Sequence, residues 1–504
     1  MRFAALVVCL LAARVCAFNG NSSSGASSTS SDASAPCSPA TLDEQALHAE
    51  CPRDDSGGRC QAVVLRNVCL VQETIVLFNA DAVDAHPDGK GDPLAGFDVT
   101  STPYWYRHAS PDRVDALVHA SPHPHSHPSS VLGHQVNFPP VEARYAAQHE
   151  LDADPPSFDA CRQPVVIFTP WVMNFAESFI RVPTLLSKLS DAWSGAVATV
   201  ATPLKLPAEP FFGFYSAPFS DGRPTSFLEL SALRVDGSDA ANLTEHEACF
   251  EQVVLLKIKN GAYPELPATA RRIADFYAPE TPPSPWKTHG AAVTRIVFEQ
   301  RPNKSMRQFL GLDEVLAECA RDAALECKAH EFGTSFTDDM ALMKHADVLV
   351  SYHGAGEVNS LFMPPHSSIL EVRARDFGTK HGFWSAFWWP AISQQTAQEV
   401  FFWGLNVEDP ALNTNSALEA EGLEHDESFN ARDRFVTLQW TYLKPMLDKV
   451  IAVKRDVGAY RDIYKTHGTG VVWTWNNDEL TPEPPIFCNG ECPVLSSLEC
   501  KKCT

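Results

Sequence analysis

The chain has 504 residues, 44% hydrophobic and 20% charged, a balance that suits two packed domains better than a disordered chain. Its formal net charge of −22 makes nucleic acid and anionic membrane surfaces poor partners.

Residues 1–17 carry Arg2, an apolar core from Phe3 to Ala13 and small residues in Val15-Cys16-Ala17, and they read as a signal peptide. Its removal takes away Arg2 and Arg14, so the charge becomes −24 (−22 − 2). A retained anchor is the alternative, but the run is short for a span and Arg14 interrupts it. No later run reaches transmembrane length, so no firm membrane insertion is expected and the body should be lumenal or extracellular. Losing Cys9 and Cys16 leaves twelve of the 14 cysteines, an even number in an oxidising compartment. Cys60 with Cys69 and Cys319 with Cys327 are expected local pairs. Cys488, Cys492, Cys500 and Cys503 have spacings that allow disulfides or zinc, and the export signal favours disulfides. Asn21, Asn242 and Asn303 are sequons open to glycosylation.

Residues 18–59 are read as a flexible stem, Ser/Gly/Ala-rich from Asn19 to Ala35, with order beginning near Cys60. The apolar runs Ala62–Leu65 and Thr74–Phe78, separated by Asn67–Glu73, predict paired strands. Pro, Gly, Asp and His dominate 81–103 and 121–140, which read as loops. One of these loops crowds His119, His123, His125 and His127, with His134 just beyond, and is read as solvated rather than as a metal site.

An apolar strand is predicted at Pro164–Thr169, a helix at Phe175–Asp191 and a strand at Gly195–Thr202, giving βαβ alternation. Cys249-Phe250 precedes the apolar Val253–Leu256. Pro282, Pro283 and Pro285 mark a linker over Thr281–Thr288, after which a second βαβ series begins. The expected organisation is a first lobe at 60–280, a second at 281–430, a helical segment at 431–466 whose stretch Phe435–Val457 crosses back over the first lobe, and a Cys-rich tail at 467–504. Val293–Phe298 reads as a strand, followed by Arg301, Lys304 and Arg307, a local cationic cluster in an acidic protein.

Asp347–Arg373 reads as buried strand, glycine turn, helix start, proline stop and second buried strand. His353-Gly354-Ala355-Gly356 lets the backbone approach a ligand closely, and amides from Gly356 to Asn359 would point at an anion with a helix dipole behind them. Pro364 and Pro365 stop the helix. Glu371 is a carboxylate inside the apolar run Ile369–Val372, at a strand end where α/β proteins bind sugar hydroxyls.

In order and content, His353, Gly354, Ala355, Gly356, Asn359, Phe362, Pro364, Pro365 and Glu371 resemble the HGAG-x-x-N-x-x-F-x-P-P segment and following glutamate strand of family-61 glycosyltransferases. Arg301 and Arg307 resemble the family's paired arginines, Cys249-Phe250 its C-F strand, and Phe332–Asp347 its F-x-x-x-S-F-x-x-Q element, with Asp339 where the family has Gln. Glu177 stands where the family often carries the His of N-x-x-H.

The resemblance implies an α/β fold of two Rossmann-like lobes, the GT-B type. It also implies inverting transfer of a sugar such as xylose, arabinose or N-acetylglucosamine from a UDP-sugar to a hydroxyl of a glycan or glycoprotein, in the Golgi or endoplasmic reticulum. On that reading Arg301, Arg307, Gly354, Ala355, Gly356 and Asn359 hold the donor diphosphate and Glu371 its ribose. Glu177 is the first candidate base and His353 the second, with a donor hydrogen bond as the other role for His353. No DxD motif lies at a strand end, so the UDP-sugar is expected as co-substrate without a metal or other cofactor. Phe383, Trp384, Phe387, Trp388 and Trp389 fit either stacking on a sugar or core packing. The alternative function is a secreted carbohydrate-binding protein of the same fold without catalysis.

Overall fold

In a computed structural model, residues 41–53, 60–71, 74–79, 91–97, 103–105, 125–126, 135–137, 142–152, 156–169, 175–190, 192–194, 200–202, 210–220, 225–226, 230, 247–258, 265–287, 293–301, 306–380, 400–420, 427–467 and 471–482 are described. The proposed signal peptide, the stem as far as residue 40, the sequons Asn21, Asn242 and Asn303, the aromatic cluster at 383–389 and the last four cysteines lie outside them.

Order begins earlier than composition implies. Thr41–Leu42 pairs with Trp193–Ser194, and helix α1 (Glu44–Glu50) follows, its N-terminus capped by the Asp43 carboxylate accepting from Ala46 N–H at 3.0 Å. Leu47 is fully buried, and Cys51 bonds to Cys60. That pairing corrects the expected Cys60–Cys69 bridge.

A seven-stranded sheet is built from β1 (Cys60–Val71), β2 (Thr74–Leu77), β3 (Glu142–Tyr145), β4 (Val165–Phe168), β5 (Val200–Thr202), β6 (Thr225–Ser226) and β7 (Glu247–Ile258), in the order β6-β5-β4-β7-β1-β2-β3. Its central ladder is the antiparallel pair β7–β1, in which Cys249 faces Cys69 and bonds to it across 180 residues of sequence. β1 runs on through the polar Arg66-Asn67 to Val71, into the segment Asn67–Glu73 that was expected to separate the two strands. Both side chains are exposed there, and Asn67 takes the left-handed region at φ 51°. The helix expected over 175–191 is two helices, α2 (Phe175–Phe179) and α3 (Val182–Leu189). Pro183 explains the break, since proline fits a first turn but not a helix interior. Helices α4 (Pro210–Ser216) and α5 (Leu266–Tyr277) also belong to the first half.

The Pro-rich segment that follows has no regular structure over 281–286, yet it is pinned: Trp286 is buried and its indole N–H donates to Leu342 O at 2.9 Å.

The second seven-stranded sheet comprises β8 (Thr294–Glu299), β9 (Leu325–His330), β10 (Val348–Tyr352), β11 (Ser367–Arg373), β12 (Val400–Val407), β13 (Val471–Asn476) and β14 (Glu479–Pro482), in the order β9-β8-β10-β11-β12-β13-β14. Every pairing from β9 to β13 is parallel, and β14 closes the edge antiparallel. Residues 471–482, assigned from sequence to a tail, therefore belong to this sheet. Helices α6 (Leu312–Cys319) and α7 (Phe336–Met343) connect its first strands, and Cys319 bonds to Cys327 as expected.

Helix α8 (Trp440–Ala452) corrects a second expectation. Its Tyr442, Leu443, Met446, Leu447 and Val450 pack with Phe298, Val350, Leu370 and Trp403 on the second sheet rather than crossing over the first. Helix α9 (Val457–His467) follows it.

Between the sheets lies one continuous apolar core. It joins Val165, Ile167, Val254 and Leu256 of the first sheet, through Phe179, Leu185, Tyr215 and Ile273 of the helices, to Val297, Leu349, Ile369 and Phe402 of the second. Among the described residues no helix is long and apolar enough to cross a membrane.

Candidate functional site

The order of the second sheet places its chemistry. Numbered by their succession in the chain, its parallel strands lie in space as second, first, third, fourth, fifth and sixth, so neighbouring connections depart in opposite directions between β8 and β10. In open parallel sheets this switch point leaves a crevice at the carboxyl ends of the strands. β8 delivers Glu299 and then Arg301 there, and β10 delivers Tyr352, His353 and the glycine turn.

Two expected arginines converge on that turn. Arg301 donates from Nη2 to the carbonyls of Tyr352 at 3.4 Å and His353 at 3.2 Å, and pairs with Glu299 Oε1 at 3.3 Å. Arg307 donates from Nη1 to the same His353 carbonyl at 3.4 Å and pairs with Asp433 at 3.2 Å. Gly354 has φ 153°, and a Cβ there would lie 2.3 Å from Arg301 Nη2, so backbone and guanidinium can meet only because the side chain is absent. At Gly356 a Cβ would lie 2.2 Å from Glu299 Oε1.

Beyond the turn the chain forms a 3-10 helix, Ala355–Phe362, where an α-helix start was expected. The Gly354 N–H donates to Glu357 Oε1 at 3.0 Å, so one amide of the proposed anion nest already has a partner. Ala355 and Gly356 remain half-buried. Asn359 is turned inward, its Nδ2 donating to Gly356 O at 3.0 Å, and it staples the turn.

Glu371 is completely buried, and both oxygens are engaged. Oε1 lies 2.7 Å from His353 Nδ1, and Oε2 accepts from Arg373 Nη2 at 3.0 Å. Burial pushes this carboxyl up, but Arg373 and the His353 hydrogen bond outweigh it and hold it down at about 2. Burial lowers the His353 imidazole below its ordinary value, against the pull of Glu371. The expected ribose contact is therefore not available from Glu371 as arranged, where it orients His353.

Glu357 was not singled out from sequence. It is fully buried, its Oε2 has no hydrogen-bond partner among the described residues, and burial followed by the charge of Glu371 raises its pKa well above the carboxylate range. Its position three residues after Gly354 is the spacing at which a glutamate reaches back to an N-terminal amide, the one local signal that could have identified it.

His353, Glu357 and Glu371 each offer a metal ligand atom, all within 4.8 Å of one another. A cation there would have to displace the partners that Glu371 already has in His353 and Arg373.

The proposed base Glu177 belongs to α2, whose Phe179 ring meets Phe362 of the 3-10 helix at 5.8 Å. The Glu177 side chain and Lys304 lie outside the described residues.

Residues 160–370 match the Glycosyltransferase 61 family. The span contains Glu177, Arg301, Arg307 and the whole glycine turn, and ends one residue before Glu371. The match supports a glycosyltransferase in general terms, acting on a sugar donor and an acceptor, and the disulfides fit the secretory pathway. None of the curated proteins matches the chain.

Proposed function

We propose that this protein is an inverting glycosyltransferase of the GT-B type that transfers a sugar from a UDP-sugar to a hydroxyl of a glycan or glycoprotein in the Golgi or endoplasmic reticulum. The observation that carries the reading is the meeting of Arg301 and Arg307 at the His353 carbonyl, beneath Gly354, at the switch point of a parallel sheet inside the family match.

Negative charge grows on the diphosphate as the anomeric carbon separates from it, so catalysis needs donors fixed there in advance. Two guanidiniums and the half-buried amides of Ala355 and Gly356 supply that field, and the reaction is read as needing no metal. The Arg373–Glu371–His353 chain holds the imidazole rigid beside the donor. The acceptor hydroxyl must lose its proton on the other side of the sugar, and α2, which carries Glu177 and packs on the 3-10 helix through Phe179 and Phe362, is read as supplying the base there.

The test is a thermal-shift and hydrolysis screen of the secreted chain against UDP, UDP-xylose, UDP-arabinose and UDP-N-acetylglucosamine, with and without EDTA, and with Arg301→Ala alongside. Stabilisation by UDP that survives EDTA and vanishes in the variant is expected, with slow hydrolysis of one sugar naming the donor. Absence of any shift would overturn the reading and leave a carbohydrate-binding protein without catalysis.

A further inference from the structure

A second imidazole–carboxylate pair stands at the same end of the second sheet. His330 is the last residue of β9 and the register partner of Glu299 on β8, and Gln300 N donates to His330 O at 2.7 Å. Register partners in a parallel ladder project to one face. Ser351 donates to Glu299 and is the register partner of Glu371, so His330, Glu299, Ser351 and Glu371 form one polar row across four strands. Along each strand, the residues two positions before Glu299, Ser351 and Glu371 are Val297, Leu349 and Ile369, which belong to the core between the sheets. The row therefore faces the helices between the sheets, where α2 lies.

His330 differs from His353 in access: a quarter of its side chain is exposed, against 6% for His353. Its Nε2 lies 2.6 Å from Asp339 Oδ1, while Asp339 Oδ2 accepts from Gly333 N–H at 2.9 Å. The carboxylate is thus fixed at both oxygens. A carboxylate can only accept, so Nε2 carries the proton and Nδ1 keeps a basic lone pair. The Phe332 ring packs edge-on at 4.9 Å and restrains the imidazole further. Phe175, at the start of α2, meets Phe336 at the start of α7, the helix that carries Asp339. Two strand spacings, about 10 Å, separate the end of β9 from the glycine turn after β10, so both lie at the carboxyl ends of neighbouring strands.

Resting on the transferase reading above, we propose that His330, oriented by Asp339, is the general base that deprotonates the acceptor hydroxyl, in place of Glu177. The hydroxyl oxygen forms its bond to the anomeric carbon as the bond from that carbon to the phosphate oxygen breaks. The electron pair leaves on the nucleoside diphosphate, and the hydroxyl proton moves to His330 Nδ1 and from there to water. Asp339 is a positioning residue that fixes the tautomer and stabilises the imidazolium.

The experiment compares the full secreted chain with His330→Gln, His330→Ala, Asp339→Asn and Glu177→Gln, following UDP thermal shift and turnover of the UDP-sugar found active. UDP stabilisation is expected in all of them. Turnover should fall ~100-fold or more in His330→Gln, recover with added imidazole in His330→Ala, and lose kcat with KM unchanged in Asp339→Asn. Unchanged turnover in His330→Gln, or a comparable loss in Glu177→Gln alone, overturns the proposal. So does loss of the UDP shift in His330→Gln, which would assign His330 to donor binding. A native chain that binds UDP but turns over no UDP-sugar overturns the base and leaves the donor pocket standing. A native chain that binds no UDP overturns the transferase reading itself.

Discussion

Glu371 Oε1 lies 2.7 Å from His353 Nδ1 in a pair almost sealed from water, and the carboxylate is held in turn by Arg373 at 3.0 Å. A carboxyl held at about 2 is an acceptor at neutral pH, so Nδ1 of His353 carries the proton. Glu371→Gln would strand the buried Arg373 guanidinium and is expected to cost about 3–5 kcal/mol in denaturant unfolding. A variant with native stability and weakened UDP binding would instead return Glu371 to the role of ribose ligand.

Glu357 and Glu371 should leave opposite marks on the pH dependence of stability. The folded-state pKa of Glu371 is depressed, so its contribution is present above the unfolded value and is lost as pH falls toward 2. The folded-state pKa of Glu357 is raised, so its contribution is full below the unfolded carboxylate value and declines as pH rises, by about 1.4 kcal/mol per pH unit until the folded pKa is reached. Glu357→Gln keeps an acceptor for Gly354 N–H and cannot ionise. Its melting temperature should match the native chain near pH 4 and exceed it increasingly toward pH 8. Parallel curves would show that the Glu357 carboxyl is not held neutral.

Two alanine substitutions probe the turn. Gly354→Ala forces a side chain into a backbone conformation that costs about 1–3 kcal/mol, and its Cβ would lie 2.3 Å from Arg301 Nη2. Gly356→Ala would displace Glu299, the ion partner of Arg301. Both are expected to abolish the UDP thermal shift while circular dichroism stays native. Retained UDP binding in both would remove the turn from the donor site.

The disulfides should differ in worth according to the chain they enclose. Cys69–Cys249 spans 180 residues and Cys319–Cys327 spans 8, a loop-entropy difference of about 3 kcal/mol. Equilibrium unfolding of the double alanine variants tests this ranking, and equal losses would contradict it.

What could be read in the sequence was local. The strand–glycine turn–strand unit around His353 depends on residues within a short stretch, as do the stop at Pro364 and the eight-residue bridge at Cys319. The helix over 175–191 was visible too, but as one helix, and its division before Pro183 was not read. What escaped was set by distant chain. Cys60 bonds to Cys51 because α1 docks on the first sheet through Leu47, and Cys69 finds Cys249 only once β7 lies beside β1. Glu371 pairs with Arg373 two residues along its own strand, a contact the sequence could suggest, whereas His353 reaches it only when β10 and β11 pair. The row that joins His330 to Glu299 and Ser351 is a property of register, which a single strand does not display.

The central ladder of the first sheet also sets a problem for the chain during synthesis. Cys69 leaves the ribosome 180 residues ahead of Cys249, an interval of about 10–40 s at ordinary elongation rates. Throughout it, wherever the compartment is oxidising, the Cys69 thiol waits nine residues from Cys60 while β7 does not yet exist. Cys51 competes for the same Cys60, and closing that nine-residue loop first would protect Cys69 for its late partner. Productive biogenesis thus depends on the order in which thiols are oxidised, with an isomerase needed wherever Cys60 and Cys69 join first.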